Sequence, residues 1–436
     1  MSLYTETFYS SELSELLSER ETITKLLRVE AALAIAQAEA GFIPESAAKI
    51  ISDYCIIDAI DPISLKKDIV LGGNVAIPLV KQLTKVVKNR DFEASKYIHL
   101  GATSQDIIDT ATVLTIKEYV VWLEEKLNVL EGTLVSLTMT HLKTLMMGRT
   151  LLQHAKPITF GLKTAGWLES ISRSKDRISD LKQRLLCIQL GGAVGGGNDN
   201  ITADVQVKFA KNLDLQVSFP WQSQRDSLVE FASFLGILSG SLGKIAKDIS
   251  LLMQTEIGEV FEGAAEGKGG SSTMPHKRNP VGCALILSNT KRTPGLVATM
   301  LSTMPQEHER SAGLWHAEWE TLTQLMNLTA GSLEKSVDLI TNLEVDKERM
   351  LQNIEITNGL IYAERVSLHL SKTIGKMQAH ESVKKACALA IQQQRHLKEV
   401  VLEIHPEIAN IEVLFEPISA IGNSLVWVEN ILKKYS

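Results

Sequence analysis

Long stretches without proline decide what this chain can fold into. The 11 prolines leave open tracts between Pro78 and Pro157, Pro157 and Pro220, Pro220 and Pro275, and Pro305 and Pro406, and each proline reads as an element end. Proline inside a helix removes a hydrogen bond and clashes with the preceding turn, so such tracts permit very long helices. The periodicity predicts that they are used. Leu228, Phe231, Leu235, Leu238, Leu242, Ile245, Ile249 and Leu252 recur at steps of three and four, which lays one apolar stripe along one helix. Over residues 226–260 that helix would be roughly 50 Å long. Leu123, Leu127, Leu130, Leu134 and Leu137 repeat the pattern, as do Leu168, Ile171, Ile178, Leu181, Leu185 and Ile188, and then Leu322, Met326, Thr329, Leu333, Val337 and Ile340. With a shorter helix over 281–303 these make five rods, and no stretch alternates as a half-buried strand does. The reading is an all-α, long-helix bundle.

Rods of this length are poorly covered by one chain's short flanks, so their apolar faces are expected to meet identical faces in other subunits. A larger monomeric bundle is the alternative. Residues 1–105 read as an N-terminal helical cap, 106–345 as the central five-helix bundle and 346–436 as a C-terminal helical domain, because the outer parts have shorter helices and more breaks.

Hydrophobic residues make up 44% of the chain and charged residues 22%, which is ordinary for a compact globular protein. A formal charge of −6 gives no field to hold a polyanion, so nucleic acid is excluded as a general partner. No apolar run reads as bilayer-spanning, and the start MSLYTETFYSSELSELLSER lacks the basic-then-apolar order of a signal peptide. A cytoplasmic location with no membrane partner is the expectation. Cys55, Cys187, Cys283 and Cys387 are widely spaced and form neither a CxxC pair nor a ligand cluster. They read as small core residues, with no metal and no organic cofactor implied.

The segment EGKGGSSTMPHKRNP (266–280) is the chemical outlier. It is not a Walker loop, because three residues rather than four separate Gly263 from Gly267 and Gly269 follows Lys268. A solvated surface loop is the plain alternative. Against it stands density: Gly269, Gly270, Ser271 and Ser272 precede Met274-Pro275, and His276, Lys277, Arg278 and Asn279 crowd the start of the next helix. Glycine-rich turns and helix N-termini offer backbone N–H groups to anions, and cations beside them reinforce the field. The same donors would stabilise a forming serine oxyanion.

GSSTMPHKRNP (270–280) resembles the signature loop GSSxMPxKxN of the fumarase/aspartase superfamily, and GATSQDIIDT (101–110) and GRTLLQHAKPITFG (148–161) match its other two regions in the expected order. The resemblance implies a homotetramer with a twenty-helix core and active sites built from three subunits. It also implies addition and elimination across a carbon–carbon double bond next to a carboxylate, through an aci-carboxylate intermediate. By resemblance, Ser271 is the base for the α-proton, Lys277 and Asn279 hold the intermediate's charge, and Thr103 and Ser104 grip a carboxylate.

Within the superfamily, PQEHERSAGLWHAEWETL (305–322), LLQHAKP and GGNVAIPLVKQL are similar to the bacterial 3-carboxy-cis,cis-muconate cycloisomerases, which close a tricarboxylate diene to 4-carboxymuconolactone in protocatechuate breakdown. The adenylosuccinate lyases are the second reading, since they share the loop and His99. They carry a His-Asp pair where this chain has Gly73-Asn74, and a Thr-His pair where it has Thr150-Leu151. A lactonisation tolerates that loss, because the attacking carboxylate is already ionised and no leaving group needs a proton. His154 is read as a donor in the same pocket or, alternatively, as a structural histidine. A small tricarboxylate needs cations, for which Lys277, Arg278, Arg310 and Arg149 are the candidates, with His99 as a further contact; Arg278 reads equally as a structural ion pair, and for Arg149 that structural role is favoured. Trp319 reads as core, and Trp315 lies near Arg310. A non-catalytic, crystallin-like scaffold is the reading from another class, and the intact Ser271, Lys277 and Asn279 argue against it.

Overall fold

In the computed structural model, residues 3–263, 274 and 276–435 are described. The architecture is helical, as the periodicity predicts. Leaving single-turn helices unlabelled, the elements run α1 (Glu19–Glu39), α2 (Glu45–Tyr54), α3 (Pro62–Gly72), α4 (Ala76–Arg90), α5 (Ser104–Thr140), β1 (Leu145–Thr150), β2 (Gln153–Thr159), α6 (Phe160–Leu185), α7 (Ala203–Leu213), α8 (Asp226–Leu252), β3 (Val260–Phe261), α9 (Val281–Ser302), α10 (Leu314–Thr341), β4 (Glu344–Val345), α11 (Lys347–Glu355), α12 (Ala363–Ile374), α13 (Lys376–Gln393), α14 (Leu397–Ile404) and α15 (Ser424–Leu432). The five rods of the sequence are α5, α6, α8, α9 and α10. The longest, α5, has 37 residues, which makes it about 55 Å long. Its leucines Leu123, Leu127, Leu130 and Leu134 are fully buried, and so are the central members of the α8 stripe from Phe231 to Ile249.

Three details depart from the sequence reading. The α8 rod stops at Leu252 rather than near residue 260: the N–H groups of Ile257 and Gly258 both turn back to the Gln254 carbonyl at 2.8 Å, and Gly258 takes a φ of +62°. Second, β1 and β2 form an antiparallel hairpin that no alternation announced. Met146 and Met147 are both buried and the register shifts between Gly148 and Arg149, so the two-residue period is erased by a bulge. Third, Pro294 lies inside α9 instead of at an end. The carbonyl its missing N–H would have engaged, that of Thr290, accepts the Thr293 hydroxyl at 3.2 Å instead, which satisfies the acceptor and keeps the helix continuous. By length and composition α8 would also pass as a membrane span, contrary to the first reading, yet most of its apolar window is buried within the protein.

The chain divides into two compact units, one from Met1–Leu127, Arg173–Leu242 and Ser288–Glu334, the other from Asn128–Ser172, Gly243–Leu287 and Lys335–Ser436. The core of the first gathers Leu26, Leu27, Leu33, Leu79, Leu83 and Ile107 with Phe209 and Leu213 of α7. The core of the second packs Met147 with Ile354, Tyr362, Val366, Leu397 and Val400. All four cysteines are free thiols; Cys187 and Cys283 are buried, Cys55 and Cys387 half-buried, and burial raises the Cys55, Cys187 and Cys387 thiols above their ordinary value.

A buried ionic triad crosses the first unit. Arg225, just ahead of α8, donates to Asp109 of α5 at 2.7 Å and to Glu318 of α10 at 2.6 Å, and its guanidinium lies 4.8 Å over the Trp221 ring. Trp315 donates its indole N–H to the same Asp109 at 3.0 Å and packs edge-on against Trp319. Trp315 is therefore a core residue that also holds a carboxylate. Removing one member of such a set strands the others. The variant Arg225→Met is expected to lower unfolding free energy by about 3–5 kcal/mol, measured by urea titration at fixed subunit concentration. A loss under about 1 kcal/mol would mean the triad contributes little net stability.

Candidate active site

The site residues read from the sequence fall into two groups, one in each unit. Ser271 lies outside the described residues.

In the first unit the chain enters α5 through a turn built on Gly101, at φ +76°. A Cβ there would meet Asn198 Oδ1 at 2.7 Å, and Asn198 donates to the Gly101 carbonyl at 2.8 Å. Thr103 immediately precedes the helix and Ser104 is its first residue. Half of a capping box is present: the carboxylate of Asp106, three residues on, accepts the Thr103 N–H at 3.0 Å. The Thr103 hydroxyl meets a side chain from elsewhere: Arg310 donates to it at 2.7 Å and to the Ala193 carbonyl at 3.4 Å. Residues 207 apart in sequence thus meet at one hydroxyl.

Asp106 is fully buried, and its hydrogen-bond donors among the described residues are uncharged. Its oxygens accept from the N–H groups of Gly191 and Gly192, both at 2.9 Å, and from Gln189 Nε2 at 3.1 Å, besides Thr103. Desolvation raises its carboxyl above the ordinary range, and these four donors work against that shift. His99 lies just upstream, at φ +57°, with Nδ1 2.7 Å from the buried carboxylate of Glu30. Burial opposes its charge, but the charge and hydrogen bond of Glu30, helped by Asp106, raise its pKa above the ordinary value. With Nδ1 engaged, Nε2 is the position left for a ligand.

A cavity of about 310 Å³ in this unit is lined by Lys25, Asp109, Arg225, Glu318 and Trp319 with apolar side chains, and Thr103, Ser104 and Arg310 are not among its walls. It lies beside the triad and is distinct from the arrangement the sequence points to.

In the second unit the hairpin carries His154, paired across the strands with Arg149. Its Nδ1 is buried and has no hydrogen-bond partner among the described residues, and burial, then the Arg149 charge, push its pKa down. Arg149 is committed to Glu259, at 3.0 and 2.6 Å, and the fully buried Glu259 also accepts from Asn353 at 2.8 Å. The two-residue tip is Leu151-Leu152, both at positive φ and exposed by 97% and 76%. Positive φ is uncommon for a bulky side chain.

Past the glycine-rich run, Lys277 is exposed and Asn279 half-buried. Arg278 is engaged on three sides: it donates to Glu344 at 2.8 Å and to the Glu262 carbonyl at 2.7 Å, and stacks 4.7 Å over Phe261. This geometry supports the ion-pair reading of Arg278. The amino end of α9 also departs from expectation. The N–H groups of Gly282 and Cys283, which a bound anion was to use, are taken by the buried carboxylate of Glu262 at 3.0 and 2.8 Å. The partial positive charge of the helix end is neutralised from within the chain. At Gly73-Asn74, where related lyases have His-Asp, Gly73 closes α3 in the left-handed region and Asn74 Oδ1 accepts the Ala76 N–H at 3.1 Å to begin α4.

Sequence reasoning passed over Asp106, Gln189, Gln222 and Glu262. A Thr-x-x-Asp spacing ahead of a long apolar helix could have exposed Asp106 as a cap; the glutamines carry no such signature. Among the described residues no three His, Cys, Asp or Glu side chains gather as a metal site.

Comparison with known proteins places this geometry. A family model described as lyase matches residues 4–295, and one described as adenylosuccinate lyase C-terminus matches 359–431. The 3-carboxy-cis,cis-muconate cycloisomerase of Pseudomonas aeruginosa is 44% identical, over 99% of this chain and 96% of its own length. That of Acinetobacter baylyi is 43% identical, over 99% and 98%. The crystal structure of the 3-carboxy-cis,cis-muconate lactonizing enzyme of Pseudomonas putida superposes with a TM-score of 0.94 at 42% identity, covering 99% of this chain and 98% of that one. The chain belongs to the lyase family of the fumarase/aspartase superfamily, in the company of the 3-carboxy-cis,cis-muconate cycloisomerases.

Proposed function

We propose that this protein is a cycloisomerase interconverting 3-carboxy-cis,cis-muconate and 4-carboxymuconolactone in protocatechuate breakdown, by the β-ketoadipate route. The observation that carries the reading is likeness to the cycloisomerases along nearly the whole chain. The substrate's own carboxylate adds to a carbon–carbon double bond, a C–O bond forms as the π bond opens, and the electron pair moves into the neighbouring carboxyl group as an aci-carboxylate. A proton then enters at the α-carbon. In ring opening Ser271 takes that proton, and in closure it returns it. Lys277 and Asn279 stabilise the intermediate's charge. Thr103, Ser104, Arg310 and His99 bind carboxylates, and His154 serves as a hydrogen-bonding partner. Arg278 holds the segment that presents Lys277. A hydrophobic side chain at Leu151 accords with a reaction that expels no leaving group.

The same reading makes the protein a homotetramer with active sites shared between subunits, each chain divided into a cap to residue 105, rods to 345 and a C-terminal domain beyond. The superfamily acts on small molecules and is typically oligomeric. Val121, Val129 and Met139 on α5 and Ile237 on α8 are 54%, 50%, 61% and 49% exposed, which supports burial against other subunits. The relatives are bacterial catabolic enzymes, in keeping with a cytoplasmic location.

An ultraviolet assay with 3-carboxymuconate and, separately, adenylosuccinate is expected to show absorbance loss with the muconate alone. Turnover of adenylosuccinate would reverse the assignment, and inertness toward both would favour a scaffold. The variant Ser271→Ala should stay assembled and lose about 10²–10⁴-fold in kcat; near-normal turnover would reassign the base. Because Glu30, against burial, raises the His99 pKa in the folded protein, substrate affinity should hold at low pH and weaken as pH rises through the raised pKa. In Glu30→Gln the rise in KM should begin at lower pH. Coincident KM profiles would remove His99 from the binding set.

A further inference from the structure

Thr103 and Arg310 are joined a second time, beneath the surface. The Thr103 N–H donates to Asp106, and Gln189 Nε2 donates to the other oxygen of that carboxylate. The side-chain Oε1 of Gln189 accepts the Trp221 N–H at 2.7 Å. The next residue, Gln222, donates its side-chain amide to the carbonyl of Glu309 at 2.9 Å, and Glu309 is bonded to Arg310. With the Arg310–Thr103 bond at 2.7 Å, the path closes on itself. Its inner members are not free to shift: Gln189 and Gln222 are 0% and 3% exposed, and the Gln222 carbonyl is held by Gln105 at 2.7 Å. Arg310 is exposed, and among the described residues its side chain bonds Thr103 and Ala193. Without the Gln222 strut, the Glu309 carbonyl would lose its tie to this buried layer.

We propose that Gln222 and Asp106 are positioning residues that fix the separation of the two carboxylate contacts, Thr103 and Arg310. Gln222 acts on Arg310 through the Glu309 carbonyl, and Asp106 acts on Thr103 through its backbone N–H. The role rests on the reading of Thr103 and Arg310 as substrate contacts, and it adds a group that touches no substrate. A buried donor whose only task was folding would leave ligand affinity unchanged in a variant that still folds. A positioning group acts on affinity through the residue it holds, so its effect vanishes when that residue is truncated.

The test is a double-mutant cycle on the assembled, full-length protein, with binding of tricarballylate, a tricarboxylate that cannot react, followed by calorimetry. Arg310→Ala and Gln222→Met are each expected to weaken binding about tenfold, the scale of one charge-assisted contact. The double variant should bind no more weakly than Arg310→Ala. Gln189→Met breaks the same path at another joint and should behave as Gln222→Met does, so a folding defect in one variant leaves the other to decide. Weakening by Arg310→Ala with none from either glutamine variant overturns the positioning role and leaves Arg310 a substrate contact. Additive losses in the double variant also overturn it. No effect from Arg310→Ala removes Arg310 from the binding set and the positioning role with it.

Discussion

Two carboxylates one helical turn apart, Asp106 and Asp109, organise the first unit from the amino end of its longest helix. They are held in different ways. Asp109 meets a cation, the buried Arg225, and shares it with Glu318. Among the described residues, Asp106 meets neutral donors: from the loop at Gly191 and Gly192, from Gln189 and from Thr103. The ionic partner ties α5 to α10 and to the chain entering α8. The neutral partners fold the surrounding loops onto the helix start without delivering a positive charge that would compete for substrate. The separation of tasks is electrostatic: the cation that stabilises is sealed inside, and the cations proposed to bind ligand stay outside.

The rods were legible because burial along a helix leaves a periodic trace, and every uninterrupted tract showed it. The hairpin left none: its buried methionines are adjacent, its bulge shifts the register, and Pro157 sits within β2 opposite Met147. Pro294 misled in the opposite sense, since a neighbouring hydroxyl repaired the carbonyl that proline orphans. At the site, motif resemblance drew out Thr103 and Arg310 together, and they lie in hydrogen-bond contact. It could not have drawn out Gln189 or Gln222, whose significance comes from which backbone atoms they reach. Glu262 shows the same limit. A helix start crowded with basic residues reads as an anion site until a carboxylate from 20 residues upstream is found already there.

The fate of the basic residues sharpens the chemical picture. Arg149, Arg225 and Arg278 are bound to acidic partners within the chain. Arg310 is paired with a hydroxyl and a carbonyl rather than with an acid, so its charge is not cancelled locally. Glu30, against burial, raises the His99 pKa, and burial with the Arg149 charge lowers that of His154. A trianion would therefore meet a few uncompensated charges in defined places, which favours orientation over indiscriminate attraction.

Because Asp106 holds residue 103 by its backbone N–H and not by its side chain, the protein can change here in a particular way. Most serines and threonines ahead of a helix are consumed by it, so replacing one loosens the fold. Here residue 103 can be exchanged while the backbone anchor of the rod persists. Stability and ligand preference become separately adjustable at a single position, an arrangement under which one scaffold can diversify its substrates without refolding its foundations.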